Sequence, residues 1–138
     1  VRSPKRARPV VRVACCACVD AAGRVLLVRR EAGLLAGTWA LPVAELEGEG
    51  DGATAGRAAA REAGAAPGRL VARGAVRHVF THRDVTAEVF RARATARRLR
   101  DGNAVRRWVA PDAFDTLAIS SFTRKTLAAA LADGKRDK

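Results

Sequence analysis

The chain has 138 residues, 49% apolar, with 26 basic against 14 acidic side chains and a formal charge of +12. That length fits one domain with one core, since domains usually run roughly 100–150 residues. No apolar run nears the roughly 20 residues of a membrane span, and no signal-type segment follows the basic start, so a cytoplasmic protein is expected. With four Phe, two Trp, no Tyr and no Met, the core must use small and branched side chains, which suits β-containing packing better than a helical bundle. The missing initiator Met suggests a piece of a longer polypeptide.

Residues 1–9 read as a basic linker, because Ser3-Pro4 and Arg8-Pro9 disfavour helix and offer nothing to bury. The folded body is expected over residues 10–132, with a disordered tail at 133–138. Val10–Val19 is a β-branched and small apolar run, residues 20–23 a turn, and Val25–Arg29 a second strand, together a hairpin. Cys15, Cys16 and Cys18 lie inside the first strand. The Cys15-x-x-Cys18 spacing formally matches a metal knuckle, but no second Cys/His pair completes a four-ligand set, and the three thiols read as small buried hydrophobes, with no metal site.

Glu31–Pro42 reads as a long loop whose Leu34, Leu35, Trp39 and Leu41 must fold back on the core. Residues 48–52 form a Gly-broken acidic connection, and Ala53–Gly64 an Ala-rich helix stopped by Gly64 and Pro67. Two strands, Gly74–Val79 and Val85–Ala94, then flank the segment Phe80-Thr81-His82. Thr95–Asn103 is a basic connection, Val105–Ala110 a last strand carrying Trp108, and residues 111–117 a single helical turn. Ser120 or Ser121 caps a final helix to Ala132, with Phe122, Leu127 and Leu131 as its buried stripe. The order is β-rich with two separated helices, an α+β class of mixed sheet flanked by helices.

Charge is uneven along the chain. Residues 69–108 carry eleven basic and three acidic groups, whereas residues 13–68 carry five basic and seven acidic. The cationic stretch therefore contains Phe80-Thr81-His82, and clustered arginine is the footprint of phosphate contact. A hairpin tip bearing a stacking ring, a hydroxyl and an imidazole can meet a flat polar ligand such as a nucleobase. The plainer reading makes Phe80 core, Thr81 a turn residue and His82 a surface group.

Several separately spaced motifs resemble one family. Cys15–Arg30, then Gly33-Leu34-Leu35-Ala36-Gly37-Thr38-Trp39-Ala40-Leu41-Pro42, are similar to the C-terminal domain of the A/G-specific adenine DNA glycosylases, the MutY family, whose loop typically reads Leu-Leu-Ala-Gly, one residue, Trp-Glu-Phe-Pro. The chain departs at Ala40 and Leu41. The resemblance continues through Phe80-Thr81-His82, similar to that family's Phe-Ser-His loop, and through Trp108-Val109 and residues 120–127, covering Pro4 to Leu131. It implies a Nudix-like fold that recognises 8-oxoguanine opposite adenine in double-stranded DNA. It also implies a separate N-terminal glycosylase domain, carrying an iron–sulfur cluster, that removes the adenine, while this chain holds no cofactor of its own. The implied reading loop is Phe80, Thr81 and His82, with Arg77, His78, Arg83, Arg97 and Arg98 as candidate phosphate contacts. Oxidation puts a protonated nitrogen where guanine has an acceptor, so a hydroxyl that accepts a hydrogen bond there separates the two bases. Thr81 keeps that hydroxyl and adds a methyl that restricts its rotamer. A monomer in the bacterial cytoplasm or nucleoid is expected.

The competing reading is a free-standing Nudix hydrolase of oxidised nucleoside triphosphates. A working Nudix box reads G-x5-E-x7-R-E-U-x-E-E-x-G-U, its paired glutamates holding divalent metal on one helix face. Anchored on Arg61-Glu62, the box puts Ala65 and Ala66 at the paired glutamates, leaving only Glu45, Glu47, Glu49 and Asp51 as loop acids. No hydrolytic activity is expected from such a set. A module binding acidic protein partners is a third reading.

Overall fold

The computed structural model describes residues 10–30, 36–80, 83–96 and 104–132. Strands β1 (Val10–Val19) and β7 (Asp84–Ala96) run parallel in register from Val10↔Asp84 to Val19↔Arg93 and form the centre of a mixed sheet. The near-continuous apolar run of β1 now has its reason: from Val13 onward every residue is buried, because the strand is covered on both faces. β4 (Val43–Leu46) lies antiparallel against the first half of β1, and β6 (Val71–Val79) antiparallel along β7. β5 (Ala65–Pro67) extends that edge against residues 94–96 of β7. β2 (Val25–Arg30) pairs with β8 (Ala104–Val109) and with the two-residue β3 (Trp39–Ala40), but touches β1 through the single pair Val19↔Val25. The sheet therefore splits beyond that pair.

Helix α1 (Gly52–Glu62) covers one face and α2 (Ser121–Leu131) the other, with a 3-10 turn at Pro111–Thr116 leading into α2. Alternation sorts β1 between them: Val13, Cys15, Ala17 and Val19 join Trp39, Leu41, Val85, Val89, Phe122 and Leu127, while Cys16 and Cys18 join Leu26, Ala60, Ala63, Ala65 and Ala92. The cysteines thus divide between faces, Cys15 on one, Cys16 and Cys18 on the other with Sγ atoms 3.9 Å apart. Burial pushes the Cys15 thiol up to about 12.

Capping fixes both helices. The Asp51 carboxylate accepts from the Thr54 backbone N–H at 3.1 Å and from its hydroxyl at 2.7 Å, which lowers its pKa and starts α1. Gly64, at φ +96°, ends the same helix. Of the two candidate caps for α2, Ser120 is the one whose hydroxyl accepts from the Thr123 N–H, at 3.1 Å. No helix among the described residues is long and apolar enough to cross a membrane.

Two elements differ from the sequence reading. The loop over residues 31–42 contains β3, and the Trp39 N–H donates to the Ala118 carbonyl at 2.9 Å, so the loop is stitched to the segment before α2. Pro67 ends β5 rather than merely stopping the helix; an edge strand tolerates a residue without an N–H.

Candidate functional site

The β6–β7 hairpin builds the end at which the Phe80–Arg83 segment lies. Its last ladder pair is Val79↔Asp84, beyond which Phe80 N–H donates to Arg83 O at 2.7 Å and Arg83 N–H to Phe80 O at 3.4 Å. Thr81 and His82, the two positions between them, lie outside the described residues, as do Arg97 and Arg98.

Phe80 is half-buried and leans inward. Its ring centroid stands 4.7 Å from that of His78 and 5.7 Å from that of Phe122 on α2, and His78 meets Phe122 at 5.9 Å. Phe80 therefore buttresses the hairpin against α2. Contacts at this spacing, edge-on and tilted, are favourable beyond the area they bury.

His78 reads from sequence as a phosphate contact, yet its Nδ1 is buried with no hydrogen-bond partner among the described residues. Burial, and then the nearby Lys125 ammonium, push its pKa below the usual histidine value, so the ring is neutral at pH 7 and carries no charge toward a phosphate. Lys125 reaches across from α2 and donates to the Arg77 carbonyl at 3.4 Å.

Arg77 forms a two-pronged bridge to Asp84, Nε to Oδ1 at 3.0 Å and Nη2 to Oδ2 at 2.7 Å, which raises its pKa. The register explains it: Arg77 lies opposite Thr86, so Asp84 is its diagonal neighbour. Arg83, also exposed, stands 3.8 Å from Glu45 on β4. Both arginines are exposed at the hairpin end, but each already faces a carboxylate. Val10 and Val79, 69% and 48% exposed, flank Asp84 on either side, an apolar surface immediately beside the loop. The sequence reading overlooked that pair.

The second place where chemistry is expected is α1. With the helix ending at Gly64, Ala65 lies in β5, fully buried and paired with Ala96, so the box cannot be anchored on Arg61-Glu62. Anchored on Arg57, the pattern fits the observed strand, loop and helix. Val43 then takes the first Gly position, Glu49 the early Glu, Ala58 the Glu after Arg, Arg61 and Glu62 the paired glutamates, and Gly64 the last Gly. Arg57 is structural here, its Nη1 donating to the Pro67 carbonyl at 3.1 Å. The signal that finds this register is the helix-ending Gly64; the Arg-Glu dipeptide four residues after Arg57 misleads.

A hard divalent ion wants several carboxylate oxygens converging from one helix face. This face offers a methyl group at position 58 and a guanidinium at position 61 beside the single Glu62 carboxylate, all exposed. The donor set does not fit a catalytic divalent metal. Among the described residues no group of three His, Cys, Asp or Glu side chains is placed to hold one.

Further cations line the split sheet. The guanidinium carbons of Arg29 and Arg107 lie 5.3 Å and 5.7 Å from the centroid of the buried Trp39 ring.

A mixed sheet between two helices, one of them ending a strand, loop and helix with the spacing of a diphosphate-binding box, defines a Nudix-type sandwich. Residues 14–129 match the NUDIX domain, and the chain belongs to that family. The MutT NUDIX hydrolase from Burkholderia pseudomallei shares the fold with a TM-score of 0.71 at 22% identity, over 87% of this chain and 97% of that one. The C-terminal domain of mouse MUTYH, solved in complex with human PCNA, gives 0.68 at 29% identity over 86% of each chain. The E. coli ORF135 protein gives 0.65 at 15% identity, over 91% of this chain and 96% of that one. No curated protein matches the sequence.

Proposed function

We propose that this chain recognises 8-oxoguanine in 8-oxoguanine:adenine mispairs, as the C-terminal domain of an adenine DNA glycosylase, and performs no chemistry of its own. The observation that carries the reading is the replacement of box acids by Ala58 and Arg61 on a helix that otherwise keeps Arg57, Glu62 and Gly64. A helix retained for packing but stripped of its ligands suits a binding role. The 29% identity to the MUTYH C-terminal domain and the exposed valines beside Phe80–Arg83 support it. In this reading residues 10–132 are the lesion-recognition domain. Thr81 is the hydroxyl that reads the altered purine, Phe80 holds the turn against α2, and His82 and Arg83 serve the neighbouring backbone. An N-terminal glycosylase domain with its iron–sulfur cluster supplies the cleavage, in the cytoplasm.

The test is binding of the 138-residue chain to duplexes carrying 8-oxoguanine:adenine or guanine:adenine. Tighter binding of the oxidised duplex is expected; equal affinity overturns the reading. The second reading, a nucleotide hydrolase, draws on the fold shared with the MutT NUDIX hydrolase and on the surviving Glu49 and Glu62. Magnesium-dependent release of pyrophosphate from an oxidised nucleoside triphosphate would establish it instead.

A further inference from the structure

Between the end of β5 at Pro67 and the start of β6 at Val71, the sheet edge kinks along β7, with Gly68 N–H donating to Arg93 O at 2.8 Å. A shallow cavity of about 480 Å3 opens there, lined by Arg69, Val71, Arg73, Arg91, Ala92 and Arg93. Four of its six residues are arginines and none is acidic. Two of the four serve the fold, since Arg73 donates to the Ala132 carbonyl at 2.6 Å and Arg91 to the Ala130 carbonyl at 3.4 Å, closing the C-terminal end of α2. Capping does not explain the other two. The Arg69 and Arg93 side chains are exposed and form no hydrogen bond or ion pair among the described residues. Four guanidiniums around one concave surface repel one another until an anion enters, and phosphate oxygens match the two-pronged guanidinium fork. Val71, 49% exposed, gives the cavity an apolar wall against which the long arginine stems can lie.

The position of this cavity decides which phosphate. β6 joins it to the Phe80–Arg83 end of the hairpin; a bulge between Ala72 and Ala75 shortens it to the seven ladder steps from Arg91 to Asp84, about 23 Å at about 3.3 Å per residue. That is the rise of roughly seven base pairs at about 3.4 Å each. We propose that the four-arginine cavity is a second contact for the phosphate backbone of the duplex, one strand length from the loop that meets the lesion. The inference rests on the duplex-binding role proposed above and adds to it where the distal backbone is held.

The test compares the 138-residue chain with its Arg69→Glu/Arg93→Glu form on 8-oxoguanine:adenine duplexes. One duplex has about 12 base pairs on each side of the lesion, and others are trimmed to about four on one or both flanks. On the long duplex the variant is expected to lose at least about tenfold in affinity at low salt, with the slope of log K against log salt shallower by about two. On a duplex trimmed on the contacted flank, the two proteins should bind within about twofold of each other. Equal losses on long and trimmed duplexes, or no loss on either, overturn the proposal. So does elimination of the long-duplex difference by millimolar inorganic phosphate at constant ionic strength, which assigns the cavity to a free phosphate. If charge reversal prevents folding, Arg69→Gln/Arg93→Gln gives the same comparison without repulsion. A length-dependent loss with no preference for the oxidised base would sink the lesion-reading role and leave this contact standing. An intact preference with no length dependence would do the reverse.

Discussion

The two faces of the sheet are packed by different means. Under α2 the core is built from large side chains, Trp39, Leu41, Phe122 and Leu127 over Val13, Val85 and Val89. Under α1 the helix contributes only Gly52, Gly56, Ala59 and Ala60 as buried residues, set against Cys16, Cys18, Leu26, Val28, Ala65, Ala92 and Ala94. Helix α1 therefore sits close to the sheet, and an added Cβ at Gly52 would collide with the Glu88 carboxylate. The helix sits close to the sheet while its outer face carries Ala58 and Arg61 at two of the acidic box positions. Packing and catalysis are separable demands on one helix, since they use opposite sides of it.

The contrast breaks most visibly in stability. Phe122→Ala empties the α2 face and should cost about 3–5 kcal/mol in urea unfolding, loosening Phe80 and His78 with it. The α1 face should fail the other way: Ala60→Leu overfills a fully buried seat, for about 1–3 kcal/mol by the same measurement. If Ala60→Leu is neutral, the face is looser than its small residues imply. Thr81→Ala sharpens the functional side, lowering the preference for 8-oxoguanine over guanine duplexes by about 1–3 kcal/mol while leaving the unfolding midpoint unchanged. An unchanged preference removes Thr81 from the reading role.

The smallest effect is acidic. The His78 pKa is depressed in the folded chain, so below the unfolded value of about 6.5 the unfolded chain binds more protons and stability falls as pH drops. Above that value the contribution is complete. Urea midpoints at about pH 5 and 7.5 should therefore differ less in His78→Gln than in the parent chain. An equal difference in both would place the acid sensitivity elsewhere.

Most of the fold was legible because its signals are local. The β1 run, the α1 caps and the Phe122, Leu127 stripe each declare themselves within a dozen residues. What escaped needed strand register or a partner far along the chain. The Arg77 bridge to Asp84 depends on hairpin register, and the neutral state of His78 on Phe122 and Lys125, more than forty positions away. The box register escaped because degeneration left an Arg-Glu pair in the wrong frame, and only the helix end at Gly64 corrects it. Of the loop residues read as a nucleobase reader, Phe80 faces the helix, while Thr81 and His82 lie outside the described residues.

That inward turn couples distant parts. With Phe122 touching both rings of the hairpin and Lys125 holding the Arg77 carbonyl, the start of α2 is tied to the end of the β6–β7 hairpin. A ligand held at that end is expected to slow amide exchange in this helix. The exchange rates of the amides over residues 124–131 then become a gauge of occupancy, readable from the opposite end of β6.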